Sequence, residues 1–380
     1  MHICLTTDFF LPEIGGVQTH VYDLARTAIK AGHKVTVITT VPSERKIEII
    51  EGIRVIRVAY PRYAGILEPS GLKDRLKKIF SKIKPDIVHA HHAFSPMGIS
   101  TGWASKELGL PVVLTNHSIP IGYEAFKDVW NVISRIISLY PVIDNITKYD
   151  AIIAVSKLAA EFIRLFYKGY IKIVPPPIGD DFFDVEATKE DIGFSNDDKI
   201  VLFVGRLDPK KGLEFALHAF RYVILSEPKT KLCIVGPGSK TYRGIIQGLA
   251  ERWGIRDNVI FTGKVSREVL KKFYVASDVF IFPSIGGESF GIVVLESMAA
   301  GTPVVAAVGG ALASFIKKYE LGYVTGINAM KYARAILKLL RDEKKRKEMG
   351  LRAKKFARIF SWRRLFKKIE AIYRYVIDRQ

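Results

Sequence analysis

The chain alternates short apolar runs with stretches of helical periodicity along its whole length. Several runs are almost continuous valine and isoleucine, as in residues 34–40, and such runs are typical of strands buried on both faces of a parallel sheet. Between the runs, apolar residues recur every three or four positions, as Val17, Val21, Leu24 and Ala28 do, which predicts amphipathic helices. We predict strands near residues 2–6, 34–40, 53–58, 86–90, 111–115, 151–155 and 171–174, and again near residues 200–205, 232–236, 259–263, 279–283, 303–307 and 323–325.

This repeated strand–helix order predicts the α/β class, with two parallel-sheet domains in tandem. The prolines Pro175, Pro176 and Pro177 separate the two sets of strands. Because consecutive prolines continue neither a strand nor a helix, they form a stiff connector. The sequence therefore predicts a first domain over residues 1–177 and a second domain over residues 178–360.

The composition is that of an ordinary globular protein, since 48% of the 380 residues are hydrophobic and 25% are charged. Two cysteines, Cys4 and Cys233, lie far apart in apolar runs, so we expect packing residues in a reducing compartment. The chain opens on a strand pattern, with Asp8 and Glu13 where a signal peptide would be apolar, and we expect a cytoplasmic protein. The uncharged residues 297–316 are interrupted by glycine and proline, so we do not expect a transmembrane helix there.

The formal charge of +20 indicates an anionic partner. Residues 329–380 hold 18 Lys and Arg against 5 Asp and Glu, and residues 72–84 combine six cations and one aspartate with apolar residues at helical spacing. Two interpretations stay open for these segments. They are solvated helix faces, or they bind an anionic membrane surface from the cytoplasmic side as parts of a peripheral protein.

The clearest candidate site in the second domain is the glycine-rich loop of residues 286–291, which leads from an apolar strand into a helix. The start of such a helix directs unpaired N–H groups and a positive dipole at the crevice above the sheet, where a phosphate binds. Glu288 and Glu296 flank this point, and a carboxylate there can hold vicinal hydroxyls of a ribose or a sugar. Two ordinary surface glutamates would also account for the pattern.

A second candidate follows the strand at residues 200–205, where Arg206 and Lys211 stand at the ligand-binding edge of a parallel sheet. Arginine offers a two-pronged fork to phosphate oxygens and lysine adds a point charge, so together they can neutralise a departing diphosphate. A surface turn would account for the same residues.

The first domain holds two weaker candidates. Gly15 and Gly16 precede a helix, where paired glycines let backbone N–H groups approach an anion. They do not form the G-x-G-x-x-G fingerprint, so a nicotinamide cofactor is not supported, and we expect no cofactor. His117 follows the strand at residues 111–115, where it can donate to a substrate hydroxyl, although a structural histidine fits the local pattern equally well.

A metal site at His89, His91 and His92 is not predicted. Adjacent residues of a strand face opposite sides of the sheet, and no acidic residue accompanies the three histidines. We therefore expect no metal at these residues.

Taken in order, these segments resemble the glycosyltransferases of family 4, which have the GT-B fold. The resemblance covers essentially the whole chain, and the Glu-x7-Glu block with its Arg and Lys partners is specific for the family. The matching pieces are Gly15-Gly16, Thr115-x-His117, Val155-Ser156, Gly205-Arg206-Leu207 with Lys211-Gly212, Glu288-x7-Glu296, Ala300-Gly301-Thr302-Pro303-Val304-Val305 and Phe360-Ser361-Trp362. The resemblance implies two facing Rossmann-like domains, with the helix of residues 361–380 crossing back to the first.

The resemblance also implies roles for individual residues. Such enzymes retain the anomeric configuration, need no divalent metal and close their domains around a UDP- or GDP-sugar. The implied catalytic residues are His117, which contacts the transferred hexose, Glu288, Arg206 and Lys211. The implied donor-binding residues are Gly15, Gly16, Arg206, Lys211, Glu288, Phe290, Gly291, Ile292 and Glu296.

Within the family, three segments look closest to transferases that glycosylate phosphatidylinositol: Asp8-Phe9-Phe10-Leu11-Pro12, Gly15-Gly16-Val17-Gln18-x-His20 and Thr115-x-His117-Ser118. These transferases are the N-acetylglucosaminyltransferase subunit of GPI-anchor synthesis and the phosphatidylinositol mannosyltransferases. The resemblance then implies a lipid or carbohydrate acceptor with Gln18 near it. The chain departs from the family at the interdomain segment, which often reads Pro-Asn-Gly-Val-Asp but here contains Pro176 and Gly179.

Two other functions stay open. A non-hydrolysing nucleotide-sugar epimerase has a related fold, but it needs acid/base carboxylates in the first domain, and no convincing set is present. A basic protein that binds nucleic acid or membranes without catalysis would also explain the charge. No nucleic-acid motif is recognised, so we do not expect a nucleic-acid partner.

Overall fold

The computed structural model describes residues 1–380 except residues 14, 42–45, 61–70, 118–143, 286–287, 289 and 309. The chain divides into two compact units. Unit 1 comprises Met1–Pro177 together with Trp362–Gln380, and unit 2 comprises Ile178–Ser361.

Unit 1 is built on one twisted sheet that, within the described residues, has eight strands. They are β1 (His2–Thr7), β2 (Lys34–Val41), β3 (Lys46–Ile50), β4 (Ile53–Ala59), β5 (Ile87–His91), β6 (Val112–Asn116), β7 (Ala151–Ala154) and β8 (Tyr170–Ile173). Their order is β3-β4-β2-β1-β5-β6-β7-β8, and every neighbouring pair is parallel except β3 and β4. The chain leaves β1 toward β2 and returns to β5 on the other side. The carboxyl ends of β1 and β5 therefore flank a topological switch point, where ligands bind in open α/β sheets.

Unit 2 repeats this plan with a six-stranded parallel sheet in the described part of the chain. Its strands are β9 (Lys199–Val204), β10 (Thr230–Val235), β11 (Val259–Gly263), β12 (Val279–Phe282), β13 (Val304–Ala306) and β14 (Gly322–Val324). The order β11-β10-β9-β12-β13-β14 puts the switch point between β9 and β12.

Helices connect the strands and cover the sheets. In unit 1 the described α-helices are α1 (Gly16–Lys30), α2 (Leu72–Ile83), α3 (Pro96–Glu107) and α4 (Lys157–Arg164), and the C-terminal α12 (Trp362–Ile377) joins them. In unit 2 they are α5 (Leu213–Ser226), α6 (Lys240–Arg252), α7 (Arg267–Ala276), α8 (Ile292–Ala300), α9 (Ala313–Lys318), α10 (Ala329–Arg341) and α11 (Glu343–Ala357). Among the described residues we find no helix whose length and apolar character would let it cross a bilayer.

The C-terminal helix α12 is an integral part of unit 1. It packs against α1 and buries an apolar stripe that includes Leu365, Ile369 and Ile372. The hydroxyl group of the buried Tyr373 lies 2.6 Å from Nδ1 of His89 on β5, so the last helix also hydrogen-bonds into the sheet. Burial of this apolar stripe holds α12 on unit 1, although the other face of the helix carries many exposed cations.

The α/β class and the two mainly parallel sheets predicted from the apolar runs are confirmed, and each sheet belongs to one Rossmann-like unit. The prediction omitted β3, an edge strand that pairs antiparallel with β4. Lys46–Ile50 is mostly exposed, so it lacks the apolar run that marks the buried strands. The turn between β3 and β4 could have indicated the hairpin, because Gly52 favours positive φ. Glu51 and Gly52 have φ of 48° and 80°, as a two-residue hairpin turn requires.

Candidate active site

The first part of the candidate site is the turn that follows β9 in unit 2. The backbone N–H of Leu207 donates to the carbonyl of Pro237 at 2.8 Å, and the carboxylate of Asp208 accepts from the N–H of Lys210 at 3.1 Å. Gly212 ends the turn with φ of 70°, and a β-carbon at this position would collide with the carbonyl of Pro283. These constraints fix the place of Lys211 at the carboxyl end of β9.

Lys211 forms an ion pair with Glu288, which lies beyond the neighbouring strand β12. The hydroxyl of Ser284 donates to the same oxygen of Glu288 at 3.4 Å. The side chains of Lys211 and Glu288 are 20% and 18% exposed, so the pair is fixed by its surroundings and still reachable by a ligand. The structure therefore brings together two of the predicted site residues at the switch point of unit 2. Gly286, Gly287 and Ser289 of the same loop lie outside the described residues.

The helix α8 begins directly after this loop. Gly291 precedes it in the left-handed conformation, with φ of 89°, and as the N-cap residue it has no side chain with which to cap the first N–H groups. Free N–H groups at a helix start and the helix dipole together favour a bound anion. Phe290 is buried and its ring packs edge-on against Phe360, which anchors the entry to the helix. Ile292, at the first helical position, carries one of the uncapped N–H groups.

Glu296 lies just over one turn into α8 and is held by Tyr274 of α7. The tyrosine hydroxyl donates to Oε2 of Glu296 at 2.8 Å. Burial, with the adjacent carboxylate of Glu296, holds the pKa of Tyr274 well above its ordinary value, so Tyr274 stays a donor. The sequence analysis identified Glu296 but missed Tyr274, because the two residues meet only through helix packing.

Arg206 lies in the same turn as Lys211 but is exposed. It forms none of the ion pairs found among the described residues of the chain. The structure therefore places it near the edge of the unit 2 sheet without a charged protein partner.

In unit 1 the paired glycines stand at the start of α1. Gly15 is the N-cap residue in an extended conformation, and the side chain of Gln18 folds back over it, so that a β-carbon on Gly15 would strike Gln18. A β-carbon on Gly16 would meet nothing within 4 Å. Among the described residues, the space beside Gly16 is thus open.

Gln18 also lines a pocket of about 300 Å³ at the switch point between β1 and β5. Asp8 after β1 and His92 after β5 form part of its wall, together with Tyr60 and Ser95. The carboxylate of Asp8 accepts from the N–H of Met97 at 3.0 Å, and burial raises the pKa of Asp8. The described lining combines apolar side chains, such as Phe9 and Phe94, with hydroxyl, amide, imidazole and carboxylate groups, and it includes neither lysine nor arginine. Sequence reasoning missed this pocket, because Asp8, Tyr60 and His92 meet only in the fold.

His117 follows β6, and its Nε2 lies 3.2 Å from Nδ1 of His91. Burial, with the adjacent imidazole of His20, lowers the pKa of His117 well below its ordinary value. The ring is therefore neutral at physiological pH and can donate or accept a hydrogen bond, but it does not carry a positive charge. Its neighbour Ser118 lies outside the described residues.

Comparisons with known families cover nearly the whole chain with two matches. Residues 14–182 match the model described as Glycosyltransferase Family 4, and residues 184–356 match the model described as Glycosyl transferases group 1.

Three relatives are similar over most of their lengths. An uncharacterized glycosyltransferase of Methanocaldococcus jannaschii is 29% identical, covering 100% of this chain and 99% of its own. A D-inositol 3-phosphate glycosyltransferase of Catenulispora acidiphila is 29% identical over 92% of this chain and 87% of its own. An alpha-monoglucosyldiacylglycerol synthase of Streptococcus pneumoniae is 28% identical over 80% and 71%, respectively.

Solved structures share the fold. A sucrose-phosphate synthase of Thermosynechococcus elongatus superposes with a TM-score of 0.81 at 23% identity over 100% of both chains. The Anabaena protein HepE, solved in complex with UDP, gives 0.77 at 19% identity over 98% of this chain and 99% of its own. The fold, the two family matches and the full-length relatives agree: the chain belongs to the GT-B glycosyltransferases that join a Family 4 domain to a group 1 domain.

Proposed function

We propose that this glycosyltransferase moves a hexose from a nucleoside diphosphate sugar to a hydroxyl of an inositol-type or similar polyol lipid headgroup, with retention of configuration and without a divalent metal. The observation that carries the proposal is the pairing of Lys211 with Glu288 at the switch point of unit 2, directly before α8. A cation beside a free helix start is suited to a diphosphate, and the adjacent carboxylate is suited to sugar hydroxyls.

The donor diphosphate is stabilised by groups of this chain. Lys211 and Arg206 supply positive charge, and the uncapped N–H groups of α8 supply a fixed dipole. As the bond to the sugar breaks, negative charge grows on the leaving diphosphate, and preorganised donors lower the energy of that state without moving. Glu296, oriented by Tyr274, holds the ribose hydroxyls. In unit 1, Gly16 leaves space for an anion beside the start of α1. A uridine nucleotide is the first candidate, because HepE was solved with UDP.

His117 contacts the transferred hexose. Because burial keeps its imidazole neutral, it offers a hydrogen bond to a sugar hydroxyl and does not act as a cationic acid. In unit 2, Glu288 is suited to bind hydroxyls of the donor sugar.

The acceptor binds in the pocket at the switch point of unit 1, next to Gln18. Hydroxyl, amide and carboxylate groups there suit a polyol ring. The relatives include a D-inositol 3-phosphate glycosyltransferase and an alpha-monoglucosyldiacylglycerol synthase, and both names fit a polyol or lipid acceptor. The net charge of +20 and the cations of α2 favour a peripheral position on the cytoplasmic face of an anionic membrane.

The test begins with a donor panel. UDP- and GDP-sugars are added to the protein, and the donor that raises the unfolding temperature is then incubated with phosphatidylinositol vesicles or with free inositol phosphate. We expect a glycosylated acceptor whose new linkage has the anomeric configuration of the donor by NMR, with and without EDTA. An isomerised nucleotide sugar without any transfer would contradict the proposal and favour the epimerase, and inversion of the linkage would remove the retaining mechanism.

A further inference from the structure

Three histidines from separate elements of unit 1 meet at the carboxyl edge of its sheet, and we name them the imidazole cluster. His20 comes from α1, His91 from the end of β5 and His117 from the residue after β6. One nitrogen from each ring lies within 4.8 Å of one nitrogen of each other ring. The sequence argument against a metal considered only neighbours along β5, so it missed a cluster that the fold assembles.

The hydrogen bonds of this cluster are incomplete. Among the described residues, no partner is present for either ring nitrogen of His20 or for Nε2 of His91. His20 is 5% exposed and His91 is fully buried, so bulk water does not satisfy these atoms. A buried polar atom without a partner costs about 1–3 kcal/mol, which makes several of them in one place a sign of a missing ligand.

The nearby His89 shows the contrast with a structural histidine. Its Nδ1 lies 2.6 Å from the hydroxyl of Tyr373, and its Nε2 lies 2.7 Å from the hydroxyl of Thr115. Both ring nitrogens of His89 are therefore used, and it has no lone pair to offer. In the imidazole cluster, by contrast, Nδ1 of His91 and Nε2 of His117 face each other at 3.2 Å, and both ring nitrogens of His20 are without a partner among the described residues.

We propose that the imidazole cluster binds one divalent transition-metal ion of the zinc type through His20, His91 and His117. Zinc–nitrogen bonds of 2.0–2.1 Å in a tetrahedral site place two ligand nitrogens about 3.4 Å apart. Nδ1 of His91 and Nε2 of His117 are already 3.2 Å apart, and a ring nitrogen of His20 lies within 4.8 Å of a ring nitrogen of each. His117 is partly exposed, which gives an ion a route to the cluster.

The effect of the ion on catalysis rests on the proposed function, in which His117 contacts the transferred hexose. An imidazole that binds zinc cannot also contact the hexose, so the ion inhibits transfer by occupying His117. Zinc is then an inhibitor of this enzyme and not a cofactor. Metal binding itself is measured without substrate, so its failure and the failure of the proposed function are distinguishable.

The experiment uses the full chain without a polyhistidine tag, stripped with EDTA and dialysed against Zn²⁺. We expect about one Zn²⁺ per chain, and with Co²⁺ a visible absorption band of a four-coordinate nitrogen site. Absence of that band in the wild-type protein overturns the proposal, whatever the variants do.

Two variants and a control locate the site. His20→Phe and His91→Phe keep a ring of similar size without ligand nitrogens, and each should weaken Zn²⁺ binding by more than the 10–100-fold that loss of an outer-shell partner costs. His218→Phe removes an exposed histidine of α5 in unit 2 and should bind Zn²⁺ like wild type. Circular dichroism checks that each variant folds. Equal zinc content in wild type and a folded His20→Phe protein overturns the assignment.

Discussion

Lys211, which forms an ion pair with Glu288, is expected to contribute directly to kcat. Lys211→Met removes the cation that faces the leaving diphosphate and deprives Glu288 of its ion pair. We expect kcat to fall by at least about tenfold, because the lost charge acts mainly on the transition state. Glu288→Ala should lower kcat by a similar factor. Initial rates at saturating donor measure both effects.

Lys210 supplies the control for these variants. It is the preceding residue in the same turn, and it forms none of the ion pairs found in the described part of the chain. Lys210→Met removes the same charge, and its kcat should stay within about twofold of wild type. A Lys211→Met enzyme as active as Lys210→Met would remove Lys211 from the mechanism.

Tyr274 acts through Glu296 and is a positioning residue. Tyr274→Phe keeps the buried ring but removes the 2.8 Å hydrogen bond to the carboxylate. A hydrogen bond to a charged group contributes about 1.5–3 kcal/mol, so a partial loss should raise KM for the donor about three- to tenfold. We expect kcat to change little, because the ribose is bound equally in the ground and transition states.

A matched control substitution is available in unit 2, away from the candidate site. The hydroxyl of Tyr242 donates to Glu214 at 2.8 Å, so Tyr242→Phe deletes an equivalent hydrogen bond. Its donor KM should equal that of wild type. If both variants raise KM alike, the effect is one of unit 2 stability and not of Glu296 orientation.

Among the secondary-structure elements, the sequence predicts the strands, turns and helix starts that depend on the local order of residues. The buried strands were predicted because their valine and isoleucine runs are read without knowing the fold. The turn after β9 and the start of α8 were predicted because glycines mark both. The side-chain pairs were not predicted, since Tyr274 reaches Glu296 and His20 reaches His117 only when separate elements pack. Local pattern thus predicts where a site lies, and packing determines which groups meet there.

Gly212 shows how an element boundary supports the site. It has φ of 70°, and an added β-carbon would also collide with the carbonyl of Pro283 beside β12. Gly212→Ala should destabilise unit 2 by more than the roughly 1 kcal/mol expected for left-handed strain alone, and displace Lys211. Gly193→Ala is the comparison, because Gly193 has φ of 83° with nothing within 4 Å of the added carbon. Urea unfolding and donor turnover should separate the two variants, and equal losses would show that the collision relaxes.

For the whole molecule, topology explains why the candidate residues gather where they do. In each sheet the chain changes direction once near the centre, between β1 and β5 or between β9 and β12. Right-handed crossovers then place the helices of the two directions on opposite faces of the sheet and leave a crevice at the switch point. In unit 1, α1 covers one face of the sheet, and α12 packs on α1. The other face is covered by α3, on which α2 packs. Sequence pattern alone did not assign the basic helices to these faces.

That assignment allows a controlled test of the membrane surface. Lys78, Lys82 and Lys84, on α2 and its C-cap, are exposed and form no ion pair among the described residues. Each cation near an anionic surface contributes about 1 kcal/mol, so changing all three to Gln should weaken binding to anionic vesicles at least about tenfold in low salt. Changing Arg364, Lys367 and Lys368 of α12 removes the same charge from the opposite face and should weaken binding much less. Sedimentation with phosphatidylinositol-containing and neutral vesicles measures both, and equal losses would mean that net charge, not the α2 face, governs attachment.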